Sequence, residues 1–420
     1  MTRVLRFGRH TFASLRYRNY RLYFTGQIIS LSGTWMQRIA QAWLVLSLTD
    51  GSGVALGIEA GLQFLPMLLL GAWGGVIADR FDKRRLLYLT QAFSGLCALG
   101  LGLLVWTDSV TLATVYAFSL LLGFANAVDM PARQTFVMEM VGRDSVPNAV
   151  GLNGVVMNSS RVVGPALGGI LLETVGVAAC FFINATSFVA VLVALAMMRG
   201  DDLHRAPLVP KAKGQLREGL RYVWSDRLVR TPLLMMAVIG TLAFNFHVVV
   251  PLVLTGEFGQ GAGGFGALTA VMSLGAVAGG LGAASRRGVS HRRLLGLSAA
   301  MGVSILLAAA APTLGAFAVA LFVMGFASFA FIATANATLQ LTSRPDMRGR
   351  VMALYGIAFL GSTPVGGPVI GWISSQWGPR PALALGGLAA LLATGAAAWS
   401  FARMDGRHER VAARVSPSAA

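Results

Sequence analysis

Long stretches without a single charged side chain constrain this chain more than any other feature. Leu86 to Thr107, Ser109 to Val128, Thr174 to Met198, Thr231 to Gly256, Leu294 to Ser343, Val351 to Pro379 and Pro381 to Ala402 carry no Asp, Glu, Lys or Arg. Each reaches or exceeds the roughly 18 to 20 apolar residues that a helix needs to cross a bilayer. Only 12% of the 420 residues are charged and 55% are hydrophobic, against about 25% charged in soluble domains. The runs and their breaks place spans near 22–48, 54–78, 86–106, 110–130, 147–172, 175–198, 231–255, 263–284, 293–311, 314–339, 349–373 and 380–402. The expected fold is an all-α membrane protein of twelve transmembrane helices with both termini on one side.

Cations near span ends resist translocation, whereas acids matter little. With the N-terminus inside, 31 of the 34 Lys and Arg fall in cytoplasmic segments, Arg380 falls outside, and Arg38 and Arg161 lie within spans. The expected location is a bacterial plasma (inner) membrane, multi-pass, with both termini cytoplasmic. The net charge of +17 is thereby a topology signal and an attraction to anionic membrane lipids, not a nucleic-acid footprint. The basic head runs into a full-length span, so no cleavable signal peptide is expected. Cys97 and Cys180 lie in separate spans without a CxxC or a His partner, which leaves no disulfide or metal reading.

Three local patterns recur at nearly constant separation, the mark of a duplicated chain. Gly71 and Gly75 match Gly275 and Gly279, Gly123-Phe124-Ala125 matches Gly325-Phe326-Ala327, and Gly164-Pro165-Ala166-Leu167-Gly168 matches Gly367-Pro368-Val369-Ile370-Gly371, at offsets of 202 to 204. Six spans repeated as six make parallel halves, related by an axis along the membrane normal. The expected divisions are an N-terminal segment 1–21, a six-helix bundle 22–198, a polar cytoplasmic linker 199–230, a second bundle 231–402 and a disordered tail 403–420.

The segment Gly74-Gly75-Val76-Ile77-Ala78-Asp79-Arg80-Phe81-Asp82-Lys83-Arg84-Arg85 ends the second span. Gly75 permits close helix approach, and Asp79 beside Arg80 and Arg84 supplies a latch of ion pairs; a positive-inside anchor alone needs no acid. In this Gly, Asp, Arg and basic-cluster form the chain resembles the major facilitator superfamily, whose signature lies between spans two and three. The second half keeps Gly279-Gly280 and Arg286, Arg287, Arg292 and Arg293 but lacks the acid. A glycine-proline signature typical of the family's antiporters is similar to Gly151, Ser160, Gly164-Pro165 and Gly168-Gly169, with Ser160 where the family usually has Gly. Segments 14–21, 33–38, 129–134, 158–161 and 182–185 resemble the enterobactin-exporter-like branch, with macrolide-efflux relatives in the same style. The resemblance implies two six-helix bundles, export of a siderophore-like molecule, drug or metabolite in exchange for protons, and spans one, four, seven and ten around the cavity. The family's usual Arg in span four is absent, since 111–128 holds no cation.

Ionisable groups in a bilayer cost about 2.5 to 3.5 kcal/mol each on insertion scales and mark function by default. Arg38 in span one, Glu59 in span two and Arg161 in span five sit at comparable depths, at 1.5 Å per residue. One reading is that Glu59 exchanges between an Arg partner and a proton; the other is a static ion-pair cluster. Asp129 and Arg133 are four apart on one helix face, which reads as a local pair or a proton site. His247 is the ionisable group of the second half's membrane core, for packing or for titration.

Span one carries Gln27, Ser30, Thr34, Arg38 and Gln41 at spacings of three or four. This single polar face is untenable against lipid, so it must meet a watery cavity or another helix. The family arrangement adds Asn126, Asn245 and Asn336 to the cavity candidates. A cation on span one favours neutral or anionic cargo. Gly261 to Gly266 fits GxGxxG but follows no strand, and none of the three lysines follows a Gly, so dinucleotide and P-loop chemistry are excluded. No GxSxG or HExxH occurs. The expectation is a monomeric secondary exporter rather than an enzyme, without cofactor and driven by a proton gradient; an importer or a non-transporting receptor or scaffold is the alternative.

Overall fold

The computed structural model describes residues 12–204, 215–285, 290–359 and 361–415, with side chains throughout these except at 72, 79, 143, 215–217 and 404–415. Among the described residues there is no strand. The first half consists of α1 (Arg18–Leu48), α2 (Gly53–Arg80), α3 (Lys83–Trp106), α4 (Leu112–Met140), α5 (Val146–Thr174) and α6 (Val177–Ala196). A short amphipathic α7 (Gln215–Ser225) precedes the second half. That half runs α8 (Arg227–Leu242), α9 (Phe246–Leu252), α10 (Ala262–Ala284), α11 (His291–Ala310), α12 (Leu314–Thr342), α13 (Arg348–Phe359), α14 (Thr363–Trp377) and α15 (Pro379–Val415).

Side-chain caps fix several helix starts by satisfying amides that have no intrahelical acceptor. Ser52 accepts from the Ala55 amide, Asp82 from Arg85, Asp226 from Leu228 and Thr313 from Ala316. Thr111 and Thr114 close a reciprocal box at the start of α4. The tight reversals from α5 into α6 and from α14 into α15 both turn on a glycine in the left-handed region, Gly176 (φ 95°) and Gly378 (φ 92°). A Cβ would be strained there. The two positions are separated by the same interval as the repeats, so the halves match in their turns as well as in their helices.

Eleven segments among the described residues are long and apolar enough to cross a membrane. Two of them are composite. Arg227–Glu257 joins α8, α9 and a π-helical turn (Val253–Glu257), and Arg348–Trp377 joins α13 and α14. The twelfth expected span, α1, has 31 residues and so about 46 Å of length, but Gln27, Ser30, Thr34, Gln37, Arg38 and Gln41 dilute its hydropathy. It packs along α5 and α6 within the first bundle. α15 continues past residue 403 to Val415, in a stretch where Ala, Arg, Met and Glu are good helix formers; residues 416–420 lie outside the described residues. The stretch 199–230 contains α7 and the start of α8, held by an Arg350–Glu218 ion pair at 2.8 Å.

Successive spans alternate direction, so one end of the bundle gathers Arg18, Arg80, Lys83, Arg84, Arg85, Arg199, Arg292, Arg293, Arg344, Arg348 and Arg350, the basic rim. The other end, the opposite rim, carries Asp50, Asp108, Glu173, Glu257 and Arg380. Within each half, backbone-to-backbone approach at small residues locks equivalent helices. Gly123 of α4 seats on the Gln63 carbonyl of α2, and Gly325 of α12 on the Met272 carbonyl of α10. Gly74 abuts Ala127, while Gly275 and Gly279 abut Phe322 and Phe326. The repeat seen in the sequence is therefore a repeat of helix contacts.

Between the halves, α2 packs on α14 and α5 on α10. Gly53 and Gly57 touch Gly371 and Gly367, and Gly169 touches Gly266 backbone to backbone. The Val54 amide donates to Ser375 Oγ at 3.2 Å. All of these lie near the opposite rim. There the buried core runs continuously through both halves, from Met36, Leu56 and Ala60 to Val248, Leu252 and Phe265. Toward the basic rim the first half has its own core of Tyr20, Tyr23, Leu87, Phe136, Leu152 and Leu195, with no residue of the second half in it. The halves are thus sealed at the opposite rim and parted at the basic one.

Candidate functional site

The intramembrane charges meet where the sealed portion ends. Glu59 sits between Gly57 and Gly61, the α2 residues that pack on Gly367 and Pro368. Arg161 lies one turn before Pro165, whose carbonyl meets Gly266. Small residues are required on both helices because the partner backbone occupies the space of a side chain; Glu59 turns from that contact toward α1 and α4 of its own half.

Glu59 is buried, with 7% of its surface accessible. Its Oε1 accepts from Gln41 Nε2 at 2.9 Å and from Ser119 Oγ at 3.0 Å, while Gln41 also donates to Ser119 Oγ at 2.6 Å. Oε2 accepts no hydrogen bond from the described residues, and no Arg lies within ion-pair distance. The close Glu59–Arg pairing expected from depth alone does not form, because Arg38 stacks its guanidinium over the Trp35 ring of its own helix, 4.6 Å from the centroid. Arg161 lies 5.0 Å from the Trp35 centroid and 4.6 Å from that of Phe329, which belongs to α12 of the other half. His247, at the start of α9, has an accessible ring 6.2 Å from that of Phe64 on α2. Two cations, one carboxylate with a free oxygen and four aromatic or imidazole rings thus converge from both halves.

The second carboxylate behaves differently. Asp129 Oδ1 accepts from Thr90 at 2.8 Å and Gln91 at 2.7 Å, and Oδ2 accepts from Arg133 Nε at 3.0 Å and from its Nη2. Arg133 also donates to Gln27 Oε1 at 2.6 Å. Both oxygens are used as acceptors, so this is a closed ion pair binding α1, α3 and α4 together, with no lone pair left for a proton.

The polar face of α1 consequently splits into parts. Gln27 and Gln41, expected as cavity residues, are buried at 1% and 2% exposure in the Arg133 and Glu59 networks. Thr34 donates back to the Ser30 carbonyl and, with Arg38, remains partly open. Asn126 on α4 is exposed and donates to the Leu122 carbonyl. Asn336 on α12 accepts from Gln340 at 2.6 Å. Asn245 is buried at the break between α8 and α9, where it donates to the Thr241 carbonyl.

The latch residues separate as well. The Asp79 side chain lies outside the described residues. Arg80 is exposed, and Arg84 donates to the Leu195 and Ala196 carbonyls at 2.8 and 3.1 Å, where α6 ends. A cation on free C-terminal carbonyls is favoured by the helix dipole. The adjoining Lys83 pairs with Glu139 at 2.7 Å. On α5, Gly164 and Gly168 seat α1 through Trp35 and Met36, while Gly169 seats α10, and Gly151 faces open space. Pro165 lies within a continuous helix. Trp35, Phe329, Ser119, Thr90 and Gln91 were not read from the sequence. Trp35 is signalled only by its position three residues before Arg38, and Phe329 by nothing, since its partner is distant in the chain.

Comparison with known proteins places this geometry. The model of a family described as transmembrane secretion effector matches residues 9–416. The multidrug efflux pump Tap of Mycolicibacterium fortuitum is 26% identical over 348 residues, covering 80% of this chain and 84% of that one. The enterobactin exporter EntS of Shigella boydii is 24% identical across 89% of each chain. The staphyloferrin A transporter of Staphylococcus aureus is 31% identical over 41% of this chain, a match spanning 44% of that relative. Among solved structures, a bacterial homologue of the lysosomal transporter Spinster superposes with a TM-score of 0.70 at 16% identity, over 91% of this chain and 95% of that one. A bacterial homologue of ferroportin superposes at 0.68 and 15%, over 91% and 98%. A duplicated helical chain, sealed at one rim by paired glycines and matched along almost its whole length, belongs to the transmembrane secretion effector family of the major facilitator superfamily and is a transporter, not an enzyme.

Proposed function

We propose that the chain exports a small molecule across the bacterial inner membrane by alternating access, in exchange for protons taken up at Glu59. The charge bias supports a cytoplasmic basic rim, which makes the arrangement described here open to the cytoplasm and sealed to the outside. The observation that carries the proposal is Glu59 itself, a buried carboxylate with a free oxygen and only neutral donors, set between the two glycines that close the outer seam. Protonation there changes the charge carried by the helix whose contact with α14 must part. The named functions of Tap and EntS, efflux and siderophore export, support the outward direction. One proton at 100 mV releases about 2.3 kcal/mol, enough for about a fortyfold concentration ratio.

The test is uptake into inverted membrane vesicles of a panel comprising enterobactin, staphyloferrin A and ethidium, with and without an imposed proton gradient. The expected outcome is gradient-dependent uptake of at least one compound by the wild-type protein. In Glu59→Gln, which keeps the Gln41 and Ser119 contacts, gradient-driven accumulation falls to the level of equilibration. Wild-type accumulation by Glu59→Gln contradicts the coupling role.

A further inference from the structure

We infer that the cargo is an aromatic or similarly flat acid bearing one negative charge, and that its anionic group draws Arg161 away from Phe329, releasing a clasp between the two halves. This deepens the export reading and rests on it. Three observations carry the inference.

The first is charge balance. Beneath the seal, Arg38 and Arg161 both rest by Trp35, Glu59 is the carboxylate held by Gln41 and Ser119, His247 lies by Phe64, and Asp129 and Arg133 neutralise each other in their own network. Of the elements packed against α2, α1 brings Arg38, α4 brings Tyr116, α9 brings His247, α3 brings Lys83, Arg84 and Arg85 at the basic rim, away from the seam, and α14 brings no ionisable group. Two guanidiniums against one ionised carboxylate leave one surplus positive charge. A monoanion cancels it, so the loaded state closes over a neutral seam with Glu59 ionised.

The second is the state of Arg161. It has no carboxylate within ion-pair distance among the described residues, and its planar group rests on Phe329 and near Trp35 instead. Guanidinium–ring contacts are weaker than the bidentate, charge-assisted bonds that a carboxylate offers. An arriving anion therefore replaces the ring as partner. Trp35 and Phe64 then supply faces on which a flat cargo stacks.

The third is position. Arg161 on α5 reaches α12 of the other half immediately on the basic-rim side of the Gly169–Gly266 contact. Its hold on Phe329 bridges the halves beneath the outer seal and opposes parting of that seal. Cargo binding and outer opening thus share one side chain, so the anion shifts the equilibrium toward the outward-open form by its preference for that form.

The experiment places spin labels at Thr174→Cys, at the opposite-rim end of α5, and Gly256→Cys, in the π-helical turn that ends the α8–α9 span of the other half, in a protein whose buried Cys97 and Cys180 are replaced by Ser. Inter-label distances are measured with salicylate, with uncharged salicylamide, and without ligand. Salicylate is expected to raise the long-distance population in the wild type, and salicylamide to leave it unchanged. Phe329→Leu should raise that population about 2- to 30-fold without ligand, the equilibrium equivalent of a cation–π contact, and respond little further to salicylate. Phe329→Tyr, which keeps the ring, should behave as wild type, and Arg161→Gln should ignore salicylate. A wild-type distribution in ligand-free Phe329→Leu overturns the clasp. Equal responses to salicylate and salicylamide, no salicylate response in the wild type, or a normal response in Arg161→Gln overturns the acid cargo. A single distance in every variant and condition overturns alternating access itself, and with it this inference.

Discussion

Glu59 and Asp129, two of the three buried carboxylates described in the first half, are held differently because their neighbours differ in charge. Asp129 spends every acceptor position on Thr90, Gln91 and Arg133, whereas Glu59 leaves Oε2 open. Removing one member of a buried pair strands the other charge at a cost of about 3 to 5 kcal/mol. Asp129→Asn is therefore expected to lower the thermal unfolding temperature of the detergent-solubilised protein markedly. The double change Asp129→Leu/Arg133→Met, which strands neither charge, should recover most of that loss. A double variant less stable than Asp129→Asn contradicts a structural role for the pair. The sequence showed which residues carried charge within the membrane, and the four-residue interval showed Asp129 beside Arg133. It did not show that Glu59 lacks an Arg partner. Depth estimated from residue number fixes height along a helix but not the direction in which a long side chain turns, and Arg38 turns to Trp35.

At the scale of helices, the small residues decide what can approach what. A Cβ at Gly57 would meet the Gly367 carbonyl and the Pro368 Cα, and backbone cannot step aside as a flexible side chain does. Gly57→Val is expected to hold the outer seam apart. A loss of about 1.4 kcal/mol of closure contact raises the open fraction about tenfold, read as faster labelling of Thr34→Cys by an impermeant maleimide from outside right-side-out cells. Unchanged labelling would mean that the α2–α14 contact does not control access. Arg84 makes a second prediction at this scale. Arg84→Gln removes the cation from the carbonyls that end α6, which should cost about 0.5 to 2 kcal/mol and lower the unfolding temperature without changing cargo selectivity. Helix existence was legible because charge-free runs of this length permit little else. Three local outcomes were not. The break at Asn245 leaves the apolar pattern intact, the helical continuation past residue 403 lies in a polar stretch, and α1 is too polar to score as a span although it packs as one.

On the scale of the whole molecule, duplication explains why two crossed seams close one rim. In α5, Pro165 and Gly169 meet Gly266 of the partner half while Gly164 and Gly168 seat α1 of their own; in α14, Gly367 and Gly371 meet Gly57 and Gly53 of the partner half. The charges have not been duplicated with them. Arg38, Glu59, Asp129, Arg133 and Arg161 all belong to the first half, and His247 is the intramembrane ionisable group of the second. The small-residue contacts are accordingly paired between the halves and the intramembrane charges are not. That asymmetry of charge was visible in the sequence, but which rim was sealed required the packing of the halves. The central claim is that this seal must open for transport. Val54 and Ser375 face each other across it, linked by the 3.2 Å hydrogen bond, and the native Cys97 and Cys180 are buried. In inverted vesicles carrying Val54→Cys/Ser375→Cys, oxidation is predicted to stop gradient-driven uptake of whichever panel compound the reduced protein carries, and reduction to restore it. Uptake by the fully cross-linked protein at the reduced rate would contradict the account.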